Sequence, residues 1–103
     1  MGEAEHEAHG FETRAIHAGQ EPDAASGAVV PPLSLSTTFA QDAVGEHKGY
    51  EYARSGNPTR TALEVCLASL EGGAHGLAFA SGLSAEDAVL RTLVRPGERV
   101  LLG

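Results

Sequence analysis

"NPTRTALEVCLASLEGG", residues 57–73, decides how the chain is organised. Asn57 is a favoured helix N-cap, because its side-chain oxygen can accept from a backbone N–H that the first turn leaves unpaired. Pro58 suits the first helical position, where its missing N–H costs nothing and its fixed φ is already helical. Leu63, Cys66, Leu67 and Leu70 follow at i, i+3, i+4 and i+7, which gathers them on one apolar stripe. Gly72-Gly73 supplies the left-handed stop. The pattern predicts a helix over 58–71, with Cys66 on its buried stripe as a core thiol rather than a nucleophile.

Downstream, "GLAFA" at 76–80 is an apolar run too short for a helix and reads as a buried strand. Ser81-Gly82 interrupts it, and a second helix follows over about 83–94, with Ser81 or Ser84 near its start and Val89, Leu90 and Leu93 facing inward. Pro96-Gly97 makes a turn, and "RVLLG" at 99–103 begins a further buried strand. Helix, strand, helix, strand is the order of a mostly parallel α/β sheet. Such a sheet needs several strands covered on both faces, and two do not make one. The fold class is α/β, as an incomplete start of that architecture.

Upstream, the stretch from Thr13 to Phe39 is rich in Pro, Gly and Ser and shows no period. Pro31-Pro32 enforces extended backbone, so the segment reads as an arm laid over some other surface. Residues 1–12 hold Glu3, Glu5, Glu7 and Glu12 with no basic residue and read as a solvated tail. His6 and His9 in "HEAH" fall one residue short of the H-E-x-x-H zinc spacing, so no metal site is assigned there.

Composition narrows the function. At 103 residues the chain has material for one small domain, and thirteen glycines with no Trp are thin stock for an independent core. A net charge of −7 argues against nucleic acid as a partner, because a phosphate backbone demands a basic face. A lone cysteine builds no disulfide framework, which fits a reducing compartment. No apolar run approaches a membrane span, and the acidic N-terminus has no secretory pattern. The expectation is a cytoplasmic protein with neither nucleic acid nor membrane as partner.

Two constellations could hold an anion. At the junction of strand 76–80 with the following helix, Ser81-Gly82 brings a hydroxyl and free backbone N–H groups to a helix N-terminus, which suits a phosphate; the alternative is an ordinary turn. In "GYEYARSGNPTR", residues 49–60, Tyr52 and Arg54 at i and i+2 project to one side of extended backbone. A phenol beside a guanidinium makes a phosphate clamp; the alternative is an exposed loop held by a cation–π contact or by Glu51. Arg60 lies in the first turn of its helix, where the dipole disfavours a cation, and so needs a partner elsewhere.

"YEYARSGNPTR", then "LEGG", "AFASGLSA" and "PGERV", together resemble the N-terminal part of the Cys/Met-metabolism pyridoxal-phosphate enzymes, the cystathionine γ-synthase and γ-lyase group. Upstream, "TRAIHAGQEPDAASGAVVPPLSLSTTFAQD" resembles that family's arm, so the likeness runs from Phe11 to Gly103. The resemblance implies an aspartate-aminotransferase-like fold (PLP fold type I) with pyridoxal 5′-phosphate as cofactor. It divides the chain into a tail over 1–12, an arm and cofactor-phosphate loop over 13–57, and the start of the PLP-binding α/β domain over 58–103.

The resemblance further implies that Tyr52 and Arg54 grip the cofactor phosphate of a neighbouring subunit. Ser81, Gly82 and Leu83 would bind that of their own subunit, in a homodimer that pairs into a tetramer at full length. Leu83-Ser84 stands where the family often has Met-Ala, which leaves a backbone donor unaffected. The family's Schiff-base lysine lies beyond residue 103, and Lys48 does not match it, so no catalytic residue is assigned and the chain is expected to be inactive alone. The implied activity of the longer enzyme is γ-replacement of O-acyl-homoserine by cysteine to give cystathionine. γ-Elimination by a cystathionine or methionine γ-lyase is the alternative within the family, and a non-catalytic chain that binds a partner subunit is the alternative outside it.

Overall fold

The computed structural model describes residues 9–103. The metal question at His6 and most of the acidic tail therefore lie outside the described residues. The elements are α1 (Phe11–His17), β1 (Gln41–Ala43), β2 (Glu46–His47), α2 (Pro58–Glu71) and α3 (Gly82–Leu93).

Helix α2 has the bounds its sequence predicts, for the predicted reasons. The Asn57 side chain accepts from the Thr59 N–H at 2.9 Å, and Gly72 closes the helix at φ 66°. The cap also clasps the arm. Ser34 donates its N–H to Thr59 Oγ1 at 2.9 Å, while its carbonyl accepts from Asn57 Nδ2 at 3.2 Å. Arm and helix start are thus paired on both backbone groups of one residue.

Helix α1 falls where the sequence reading has a tail passing into an arm. Seven residues seldom hold a helix by propensity, so tertiary contacts must supply the stability. Arg14 reaches across to the carbonyl of Ser69, one of the last four in α2, where unpaired carbonyls and the negative end of the dipole favour a cation. Ala18, directly after α1, is 1% exposed, and the Cys66 thiol lies 3.9–4.0 Å from the Ala15 and Arg14 carbonyls. Cys66 is therefore half-buried against α1 rather than sealed in a core. At Gly19 the chain turns with φ 73°, and a Cβ there would collide with the Ala62 carbonyl oxygen.

Between Thr37 and Ala53 the chain makes an antiparallel excursion. Ala53 donates to the Thr37 carbonyl at 2.8 Å and Phe39 to that of Glu51 at 3.2 Å. The outer part is the β1–β2 pair, in register Gln41↔His47 and Ala43↔Glu46 with an irregularity between, turned by Gly45 at φ 80°. The Phe39 and Tyr50 rings meet at 5.6 Å between centroids, tilted by 38°.

The expected parallel sheet is where structure and sequence differ. Residues 76–80 and 99–103 form no strand among the described residues; the sheet present is the antiparallel β1–β2 pair. A strand needs a neighbour to take its N–H and C=O groups, and none lies alongside. The Ala78 N–H goes instead to Glu64 Oε1 at 2.9 Å. For the same reason the apolar stripes are not covered: Leu63 is 51% and Leu93 73% exposed, and Ala18 alone is a buried hydrophobic among the described residues. The radius of gyration, 16.8 Å, exceeds the roughly 13 Å of a compact chain this long.

Two predictions follow from local geometry. Gly19→Ala adds a left-handed penalty to a backbone collision and should destabilise the protein by on the order of 2–4 kcal/mol. Gly27→Ala, at φ 72° with nothing within 4 Å, meets only the first and should cost about 1–2 kcal/mol in the same denaturant titration. Equal losses would show that the α2 backbone yields at Ala62. Asp23, whose carboxylate accepts from the Ser26 hydroxyl at 2.6 Å and N–H at 2.8 Å, is held below its ordinary pKa of 3.8 by those two bonds. Its stabilising effect is present above 3.8 and fades as pH falls through the lowered value. An NMR titration should show Ser26→Ala moving the midpoint back up.

Candidate functional site

Tyr52 and Arg54 lie side by side. Tyr52 is paired to Thr38 by an isolated antiparallel bridge, and the chain turns directly after it, Ser55 and Gly56 donating to the Tyr52 carbonyl at 3.1 and 3.0 Å, so the two side chains meet at the start of a turn rather than along extended backbone. Arg54 donates from Nη2 to the Tyr52 hydroxyl at 3.4 Å, and its guanidinium carbon sits 5.3 Å from the ring centroid. The cation–π contact is thus present. Glu51 is not the counter-ion: its carboxylate accepts from Ser55 Oγ at 3.4 Å. Among the described residues no carboxylate pairs with Arg54, although the chain carries an excess of acid. Tyr50 packs against Phe39 and Gly56, so Tyr52 alone of the two tyrosines faces Arg54.

Arg60 is accounted for differently. Its guanidinium donates to the carbonyls of Ala53 (3.3 Å), Arg54 (3.3 Å) and Ser55 (2.9 Å), and pairs with Glu64 at 3.5 Å. The partner demanded by its place in the first turn is a carboxylate one turn on plus three carbonyls of the loop that presents Arg54. The i, i+4 pair was readable from sequence spacing; the grip on the loop was not.

Ser81 caps α3 with extended backbone (φ −152°, ψ 155°), its Oγ accepting from the Ser84 N–H at 3.1 Å and lying 2.8 Å from Ser84 Oγ. The first backbone bond back into the turn comes from Ala85, to the Ser81 carbonyl at 3.2 Å. The N–H groups of Gly82 and Leu83 have no acceptor among the described residues, and no acidic side chain occupies the first turn. Nothing lies within 4 Å of where a Gly82 Cβ would stand, so the approach is open. Leu83 contributes its N–H only; its side chain is 76% exposed.

No hydrogen bond or ion pair joins the Tyr52–Arg54 pair to Ser81–Leu83 among the described residues. Each is a separate anion-ready feature: unpaired donors, positive charge or dipole, no competing carboxylate. That donor set fits a phosphate. A groove of about 720 Å³ between the arm at Val30–Ser34 and α2 does not include it, nor does a second groove between Arg14, Ala18 and the C-terminal part of α2. No group of three or more His, Cys, Asp or Glu is placed to hold a metal among the described residues. No helix of the described residues is long and apolar enough to cross a membrane.

The family model for Cys/Met metabolism PLP-dependent enzymes matches residues 12–103. The chain belongs to this family. The family's cofactor is pyridoxal phosphate. A probable cystathionine gamma-synthase of Herpetosiphon aurantiacus is 53% identical over 92% of this chain and 30% of its own length. The cystathionine gamma-lyase of Bos taurus is 50% identical over 98% of this chain and 27% of its own. The crystal structure of metB from Corynebacterium glutamicum superposes with a TM-score of 0.85 at 50% identity, covering 90% of this chain and 24% of that one. The chain therefore spans about a quarter to a third of the length of the relatives it matches, and over that span it has their fold.

The cap at Ser81 can be tested apart from any ligand. Ser81→Ala should cost roughly 1 kcal/mol and Ser81→Gly only a few tenths, read as faster amide exchange in the first turn of α3. Equal exchange in both variants and the parent would mean that Ser81 does not hold the helix start.

Proposed function

We propose that this chain serves a PLP-dependent transsulfuration enzyme as its N-terminal part. In this reading residues 13–57 form the arm and phosphate loop, and 58–103 begin the cofactor-binding domain. The observation behind it is the pair of anion-ready constellations: Arg54 with Tyr52 but without a carboxylate, and Ser81 with the unpaired N–H groups of Gly82 and Leu83. Tyr52 and Arg54 hold the cofactor phosphate of a neighbouring subunit by charge-assisted hydrogen bonds. Ser81, Gly82 and Leu83 hold that of their own subunit with one hydroxyl and two backbone donors, so the site is completed in a dimer, itself half of a tetramer. The exposed apolar residues of the arm, Val29, Val30, Leu33 and Leu35, suit such an interface. The mostly parallel type I sheet would supply neighbours for 76–80 and 99–103.

Bound there, pyridoxal phosphate supplies the electron sink that replacement at an amino acid's γ carbon needs. The reaction proposed is that of O-acyl-homoserine with cysteine to give cystathionine and the free acid. Relatives named as γ-synthases, at 53% identity for the Herpetosiphon protein and 57% for that of Mycobacterium tuberculosis, support the transsulfuration class, and γ-lyases stand in the same range, at 50% for Bos taurus and 55% for Sus scrofa, so the choice between the two reactions rests on the assay. The test uses the complete gene product as purified from its source cells, supplied with O-acyl-homoserine and cysteine, and separately with cystathionine. Cystathionine formation should dominate. If 2-oxobutyrate and ammonia released from cystathionine dominate instead, the activity is γ-elimination; if neither reaction occurs with cofactor bound, the chain is a non-catalytic partner.

The phosphate assignment has its own test. Arg54→Gln should weaken binding of pyridoxal phosphate by about tenfold or more, and leave binding of pyridoxal, which has no phosphate, nearly unchanged. Equal weakening of both would remove Arg54 from the phosphate.

A further inference from the structure

We propose that Arg60 and Glu64 are positioning residues that set both phosphate-binding constellations from one place on α2. The inference rests on the reading of those constellations given above. Arg60 reaches one way: its Nη1 and Nη2 hold the carbonyls of Ala53, Arg54 and Ser55, the stretch on which Tyr52 and Arg54 are mounted. Glu64 reaches the other way: its Oε1 accepts the Ala78 N–H at 2.9 Å, three residues before Ser81. The same oxygen lies 3.5 Å from Arg60 Nε, so a single atom joins the two grips. The pair is partly withdrawn from water, with side chains 33% and 19% exposed, which strengthens it relative to a surface pair. Gly76 makes the second grip possible, because a Cβ there would collide with the Glu64 carbonyl and lift the 76–78 segment off the helix.

Outside itself, loop 53–55 is otherwise held by the Ala53 N–H on the Thr37 carbonyl at 2.8 Å. Ser55 and Gly56 donate to the Tyr52 carbonyl at 3.1 and 3.0 Å, which shapes a turn but ties it to nothing outside the loop. Segment 76–80 lies beside no strand among the described residues, so its bond to Glu64 fixes its height above α2. Arg60's planar fork serves three acceptors at once, which a lysine's single ammonium cannot reproduce. Neither Arg60 nor Glu64 touches the cofactor in this scheme; each acts through the backbone that carries the binding groups.

The test compares pyridoxal phosphate with pyridoxal in the complete gene product, stripped of cofactor and titrated by absorbance, with backbone amide exchange followed in parallel. The preference for the phosphorylated form should fall about tenfold in Arg60→Lys and in Glu64→Ala, as expected for losing a charge-assisted contact. Glu64→Gln, which keeps an acceptor for the Ala78 N–H, should recover part of it. Exchange should quicken at Ala53–Ser55 in the Arg60 variant and at Ala78 in Glu64→Ala. Loss of affinity for both compounds by one factor would mark a merely structural role and overturn the proposal, as would faster exchange with the preference intact. Arg54→Gln separates the two levels. If it lowers the preference while the Arg60 and Glu64 variants do not, the relay alone falls; if none of the three does, the phosphate reading falls and takes the relay with it.

Discussion

The start of helix α2 is the point on which the rest of the described structure hangs. A helix N-terminus leaves N–H groups without partners, and Asn57 satisfies one of them through Thr59. What makes this cap more than local is that Asn57 and Thr59 have hydrogen-bonding capacity to spare, and both spend it on Ser34. One turn further on, Arg60 gathers the carbonyls of 53–55. Two separate stretches of chain, the arm at Ser34 and the loop 53–55, are thus fixed at the start of a single helix. At the other end, Arg14 and the carbonyl of Ser69 dock α1. Polar bonds at the two ends of α2, rather than a large apolar core, define the relative placement of these parts.

That balance explains the exposure of so many apolar side chains. The stripe Leu63, Cys66, Leu67 and Leu70 is patterned for a covered face, and so is the run at 76–80. Strands with apolar residues on both faces belong to parallel sheets with helices above and below. The described residues offer such strands no partner, so the pattern is present and the burial is not. The metB structure from Corynebacterium glutamicum shares this stretch at a TM-score of 0.85, and the local geometry of α2 and α3 is therefore like that of a solved relative even though few of their faces are covered.

What was legible in the sequence is what local chemistry controls. The bounds of α2 follow from Asn57-Pro58 and Gly72-Gly73, and the cap of α3 from Ser81, because these depend on residues within one turn. Tyr52 and Arg54 stand side by side as expected, but at the turn over 53–55 rather than through the two-residue alternation of extended backbone. Helix α1 was not legible, since FETRAIH docks through Arg14 on the Ser69 carbonyl of α2, 55 residues away. The antiparallel excursion over 37–53 was hidden for a similar reason: its strands are short and polar, and they pair across a turn at Gly45. The expected sheet failed at the same boundary between local and distant: the strand-like composition was correct as a pattern, but pairing is a property of two segments and not of one.

The anchoring residues also bear on why relatives with different reactions share this stretch so closely. A cofactor phosphate takes no part in bond making, so contacts to it are as strong before the reaction as at its transition state. Interactions of that kind fix position without selecting among reactions, because only those that strengthen at the transition state favour one barrier over another. If, as proposed, this stretch serves the phosphate and the arm, it can be 53% identical to a γ-synthase and 50% identical to a γ-lyase without contradiction. Anchoring still matters to rate, since a reacting centre misplaced by about 1 Å can lose a hundredfold. On the proposed reading, the demand on Tyr52, Arg54 and Ser81 is rigidity rather than discrimination, which the Arg60–Glu64 pair, braced against two backbone segments at once, would provide.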